Sequence, residues 1–162
     1  MNPTHQFLSV VIPTPQVLTL QSNPVLIVPG EPGYLMDIYN LVIKYVANTV
    51  PFNPTLTDAL TAFTGSGTLS GSLVTYPGLP TLAKGFLDQL SSHTLYLDAW
   101  FSSNGGGITS DTSVTAAPAS AIVGSGLYLS QFNSGGTFPS GSNWTQGNGS
   151  LIVTVEYSYL LA

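Results

Sequence analysis

The run Ser150–Leu161 constrains the fold more than any other stretch of the chain. Leu151, Val153, Val155, Tyr157, Tyr159 and Leu161 fall on one face of an extended segment. Ser150, Thr154, Glu156 and Ser158 fall on the other, and only Ile152 and Leu160 interrupt them. Successive side chains of a strand point to opposite faces, so this period of two predicts a strand with one buried side. A strand of that length belongs inside a sheet, with a partner on each flank.

Other segments carry the same signal more briefly. Phe7–Ile12 is apolar apart from Ser9 and stops at Pro13-Thr-Pro15. Val17–Leu20 and Val25–Val28 are β-branched or leucine-rich, and Ser22-Asn-Pro24 parts them. Pro29-Gly-Glu-Pro-Gly33 is a dense turn signal ahead of the longest candidate strand, Tyr34–Val46. There Tyr39, Leu41, Ile43 and Tyr45 share a face predicted to be buried, opposite Ile38, Asn40, Val42 and Lys44. Leu56–Phe63 reads as a strand in preference to a short helix capped by Thr57. Thr68–Tyr76, Thr94–Phe101 and Gly126–Gln131 continue the β pattern.

One helix is predicted, over Leu79–Leu90. Pro80 suits its first turn, and Leu82, Phe86 and Leu90 recur at i, i+4, i+8, with Gly85 as its weak point. Ser102–Ala121 and Asn133–Gly149 are loops rich in Gly, Ser, Thr and Asn. Short strands with Gly/Pro turns, and no β-α alternation, predict an all-β fold: an antiparallel β-sandwich of jelly-roll type, with a closed barrel second. A single domain over residues 1–162 is expected, with 1–6 as a flexible N-terminal arm. A chain this long buries about 70 % of its unfolded surface, enough for a core without staples.

Charge narrows the function. Charged side chains make up 6 % of the chain, against about a quarter in an ordinary soluble domain. There are two lysines, Lys44 and Lys84, no arginine, and seven carboxylates scattered from Glu31 to Glu156. Neutralising phosphates needs far more cations than this, so neither nucleic acid nor an anionic membrane is an expected partner. With no cysteine, disulfides and thiolate metal sites are excluded. An exterior of hydroxyls, amides and glycine fits a subunit that surrenders surface to other subunits.

The residues offer little for catalysis. His5 and His93 are the only imidazoles, and both read as solvent-exposed or capping groups without a nucleophile elbow nearby. Asp98 and Asp111 flank the glycine-rich loop but match no calcium motif. No phosphate-cradling glycine motif is present. The sequons Asn143-Trp-Thr145 and Asn148-Gly-Ser150 carry no weight without a signal peptide, and Asn148-Gly149 reads as a tight turn. No catalytic, cofactor-binding or metal-binding residue is therefore assigned, and no cofactor is expected. Phe138 and Trp144 lie in a patternless loop, where they either anchor an interface or pin the loop. With Trp100 they form the candidate interface set. Trp100 or Trp144 would also serve as the stacking platform of a carbohydrate-binding adhesin module.

The order of segments also carries a resemblance. Val28-Pro-Gly-Glu-Pro-Gly-Tyr34 leads to Asp37-Ile-Tyr-Asn-Leu-Val-Ile-Lys-Tyr45, and Asn48-Thr-Val-Pro-Phe52 to a polar strand. Gly126-Leu-Tyr-Leu-Ser-Gln131 then precedes Gln146-Gly-Asn-Gly-Ser-Leu-Ile-Val-Thr-Val-Glu-Tyr157. Over about two-thirds of its length the chain resembles small structural proteins of tailed bacteriophages, of the head-decoration or cement type. The resemblance implies a non-enzymatic virion protein, made in the host cytoplasm and placed on the outer capsid surface. It implies homotrimers that clasp the major capsid protein or another virion protein; a tail or fibre-attachment role is the alternative. The helix at 79–90 and the loop Ser102–Ala121 depart from the pattern.

Overall fold

The computed structural model describes residues 4–65, 74–75, 81–98, 123–133 and 142–162. Two antiparallel sheets form an all-β sandwich. The first contains β1 (Gln6–Ile12), β3 (Tyr34–Val46), β7 (His93–Asp98) and β9 (Ser150–Leu161), in the order β1-β9-β3-β7. The second contains β2 (Val25–Val28), β4 (Asp58–Gly65), β5 (Val74–Thr75) and β8 (Gly126–Asn133), in the order β2-β8-β4-β5. The short β6 (Thr81–Leu82) also pairs with β4.

The strand β9 has the place its alternation predicts. It pairs with β1 on one flank and β3 on the other. Its Leu151, Val153, Val155 and Tyr157 are buried, but at the far end the expectation fails: Ser158 is buried and Leu161 is exposed. The first four share one core cluster with Leu41, Ile43 and Tyr45 of β3 and with Leu60, Ala62, Leu127 and Leu129 of the second sheet.

Within β3 the predicted face needs one correction. The register shifts between Ile38, opposite Tyr157, and Asn40, opposite Glu156, so Tyr39 is the extra residue of a β-bulge. A bulge reverses which side chains point inward on either side of it. Ile38 is therefore buried before the bulge, and Leu41, Ile43 and Tyr45 after it. Tyr39 leaves the core face.

The predicted helix over 79–90 does not form. Thr81 and Leu82 bridge Leu60 and Ala59 of β4. One turn follows, in which the Phe86 and Leu87 amides donate to the Ala83 carbonyl. Gly85 has φ +89, a backbone state that a right-handed helix cannot contain. Its amide donates instead to the Asp88 carboxylate at 2.7 Å. Phe86 and Leu87 are buried as the spacing required, but Leu90 is exposed. Among the described residues the helix is elsewhere: α1 (Thr14–Leu18), a single turn with proline in its first turn, where a missing N–H costs nothing.

Candidate interaction surface

Residues 142–149 run without regular structure into β9. Asn148 and Gly149 make no tight turn: the Asn148 amide donates to the Val50 carbonyl, and its side-chain oxygen accepts from the Val50 amide at 2.8 Å. This pairing ties the segment to the loop after β3.

The same segment carries Trp144, which is 4 % exposed. Its ring packs against Phe52 at a centroid distance of 5.8 Å, and Phe52 packs in turn on Tyr45 and Tyr45 on Phe86. The indole N–H donates to Asp58 Oδ2 at 3.0 Å, and the same oxygen accepts the Thr55 amide at 2.8 Å. Asp58 is 3 % exposed, and its carbonyl accepts the Ala83 amide. Through its carboxylate Asp58 thus ties the loop before β4 to the segment before β9, and through its main-chain carbonyl it holds the turn after β6. Charge-assisted hydrogen bonds of this kind are what make a buried carboxylate tolerable.

Asn53, Thr55, Asp58, Ser142, Asn143, Trp144 and Thr145 line an open cleft of about 240 Å³. Several of its polar groups are bonded within the chain. Asn53 Oδ1 accepts the Thr145 and Gln146 amides, and Asn53 Nδ2 donates to Thr145 Oγ1. Asn143 is bonded to Ser22. The arrangement works as a clamp on the loop. Trp144, 4 % exposed, is packed inside that clamp and pins the loop. Trp100, Phe138 and Asp111 lie outside the described residues.

The two histidines are both engaged. His93 opens β7, with Nε2 3.1 Å from Ser91 Oγ. His5, expected in a flexible arm, stacks on Tyr39 at 4.0 Å and sets Nδ1 2.8 Å from Glu156 Oε1. The bulge that expels Tyr39 from the core supplies the ring on which His5 rests. Among the described residues, no group of three or more His, Cys, Asp or Glu side chains converges as a metal site. No helix among them is long and apolar enough to cross a membrane.

Burial and charge move three other titratable groups. Burial pushes the Tyr45 hydroxyl up, with the Asp88 charge adding to it. Burial likewise raises Tyr159, helped by Tyr157 and Glu31. Burial works to raise Asp88, but hydrogen bonds from Gln89, the Gly85 amide and Lys84, with the Lys84 charge, bring it below the usual carboxylate range.

The register places the outer face of the first sheet in rows. Val11, Ile152, Lys44 and Thr94 make one row; Ser9, Thr154, Val42 and Tyr96 the next; Phe7, Glu156 and Asn40 continue on the far side. Phe7 is 72 % exposed, Val11 63 % and Tyr96 71 %. The Ser9 and Thr154 hydroxyls share a hydrogen bond of 3.0 Å. A sheet face that combines aromatic and aliphatic side chains with hydroxyls, and little charge, is suited to protein contact. Composition hinted at such a surface, but only the pairing of four strands assembles it.

The fold and this face define an all-β sandwich with a sparsely charged, partly apolar outer sheet. No family model, curated protein or solved structure matches the chain.

Proposed function

We propose that the protein is a non-enzymatic structural component of a virion, a decoration or cement protein that binds the outer surface of a phage head as a homotrimer. The reading includes a sandwich of jelly-roll type. What supports it is the nested pairing of the strands: β1 with β9, β2 with β8, β3 with β7, and β4 with β5, all antiparallel. One long double ribbon, wrapped so that successive pairs alternate between sheets, produces that order. Double-sheet folds of this kind recur in viral capsid and lectin domains, and the step from fold to role is one of analogy.

The mechanism is additive burial. Each copy bridges shell subunits, and binding to the assembled shell alone stabilises that form by mass action. A face with few charges also avoids desolvating an ion at every contact.

Light scattering coupled to size-exclusion chromatography is expected to give the mass of three chains. Mass spectrometry of purified virus particles is expected to detect the protein in many copies per head. A chain that stays monomeric at high concentration and is missing from particles would overturn the proposal.

A further inference from the structure

β1 is a strand with one neighbour. Its residues pair with β9 from Gln6 opposite Tyr157 to Ile12 opposite Leu151, without a register shift. Among the described residues nothing hydrogen-bonds to the backbone along its other edge. Such an edge presents a row of unpaired donors and acceptors, and proteins normally guard it with lysine, proline, a bulge or a covering segment. The strand QFLSVVI has no charge, no proline and no bulge, and Phe7 and Val11 stand in solvent beside the open edge.

We propose that this edge pairs with the same edge of a second copy, antiparallel, across a two-fold axis at Ser9. A two-fold normal to the sheet keeps each side chain on its own face, so only residues of like phase can meet. With the axis at Ser9, Phe7 meets the partner's Val11 on the outer face, and Leu8 meets the partner's Val10 beneath. Aromatic–β-branched and aliphatic pairs are the favourable cross-strand combinations. An axis at Leu8 sets Phe7 against Ser9, and one at Val10 sets it against Pro13, so neither pairs both exposed apolar side chains. β1 carries no ionisable group, so no like charges face each other across the axis. The two outer sheets become one continuous sheet.

A seven-residue strand provides a strip only about 24 Å long and one strand wide, too narrow to bury the roughly 1,200 Å² that a stand-alone interface needs. The contact is therefore weak between free chains and strong where copies are held side by side, through effective concentration. That last clause rests on the shell reading; the pairing does not.

The chain has no cysteine, so single cysteines report the register cleanly. In the proposed pair the two residue-9 Cα atoms lie about 4.5–5.5 Å apart, inside the roughly 4.4–6.8 Å that a disulfide spans. The two residue-11 Cα atoms lie about 14 Å apart, out of reach. Ser9→Cys and Val11→Cys are oxidised separately at high protein concentration and run on non-reducing gels. Ser9→Cys is expected to give a disulfide dimer that Val11→Lys in the same chain abolishes, while Val11→Cys stays single. Equal linking in both, linking in Val11→Cys alone, or none in either would overturn the pairing. So would a mixed disulfide between Ser9→Cys and a different virion protein. A linked dimer from a protein missing from particles removes the shell reading alone; particles whose Ser9→Cys chains stay unlinked remove the pairing alone.

Discussion

Trp144 and Phe7 invert the usual link between regular structure and burial. Trp144 sits in a segment with neither helix nor strand, yet it is almost wholly enclosed and hydrogen-bonded. Phe7 sits in an unbroken strand and faces solvent. The loop tryptophan has somewhere to go, because Phe52 and Asp58 offer it an aromatic wall and an acceptor. The strand phenylalanine points away from the sandwich, and among the described residues no layer covers it. Regularity decides which way a side chain points, and covering layers decide whether it is buried. The first region therefore governs the stability of the chain, and the second what it can meet.

The two regions are separable by mutation. Trp144→Ala empties the space against Phe52 and takes the indole donor from Asp58, and is expected to cost about 3–5 kcal/mol, read as a lower denaturant midpoint. Trp144→Phe keeps most of the packing but leaves Asp58 without the indole N–H, and should cost about 1–3 kcal/mol. Gly147 has φ +134, and a Cβ there would overlap the Phe52 ring. Gly147→Ala is accordingly expected to cost about 1–3 kcal/mol by the same midpoint.

Asp88 gives a smaller effect, with a pH signature. Its carboxyl titrates lower in the folded chain than in the unfolded one, so ionised Asp88 favours folding. That contribution is complete above the unfolded pKa and is lost as pH falls through the lower folded value. Asp88→Asn should lower the Tm at neutral pH, and the difference should shrink as pH falls through the lowered folded-state value. Phe7→Ser belongs at the bottom of the scale, within about 0.5 kcal/mol of the parent, while weakening self-association in analytical ultracentrifugation. A large loss of stability from Phe7→Ser, or none from Trp144→Ala, would break the contrast between the two regions.

The strands β1, β2, β3, β4 and β9 were legible because their alternation or β-branched content is local. Where prediction failed, one residue changed the backbone path. Tyr39 forms a bulge, which leaves no mark on apolar spacing and turns the start of β3 over. Gly85 takes a positive φ that ends the helical pattern after one turn. The clamp was invisible for a different reason. Asp58 and Trp144 lie 86 residues apart in sequence, and nothing local to either predicts the other. The one available sign was a lone carboxylate in the apolar stretch Leu56–Phe63.

By itself, then, the sequence determined that the chain builds antiparallel sheets around a core without staples, and that its exterior is nearly free of charge. Those properties follow from periodicity and composition, which act residue by residue. Tertiary structure alone decided which strands became neighbours, which aromatic was enclosed, and that β1 stands with one edge unpaired among the described residues. Those outcomes depend on how segments far apart in the chain share space, because a side chain is buried only when another segment arrives to cover it.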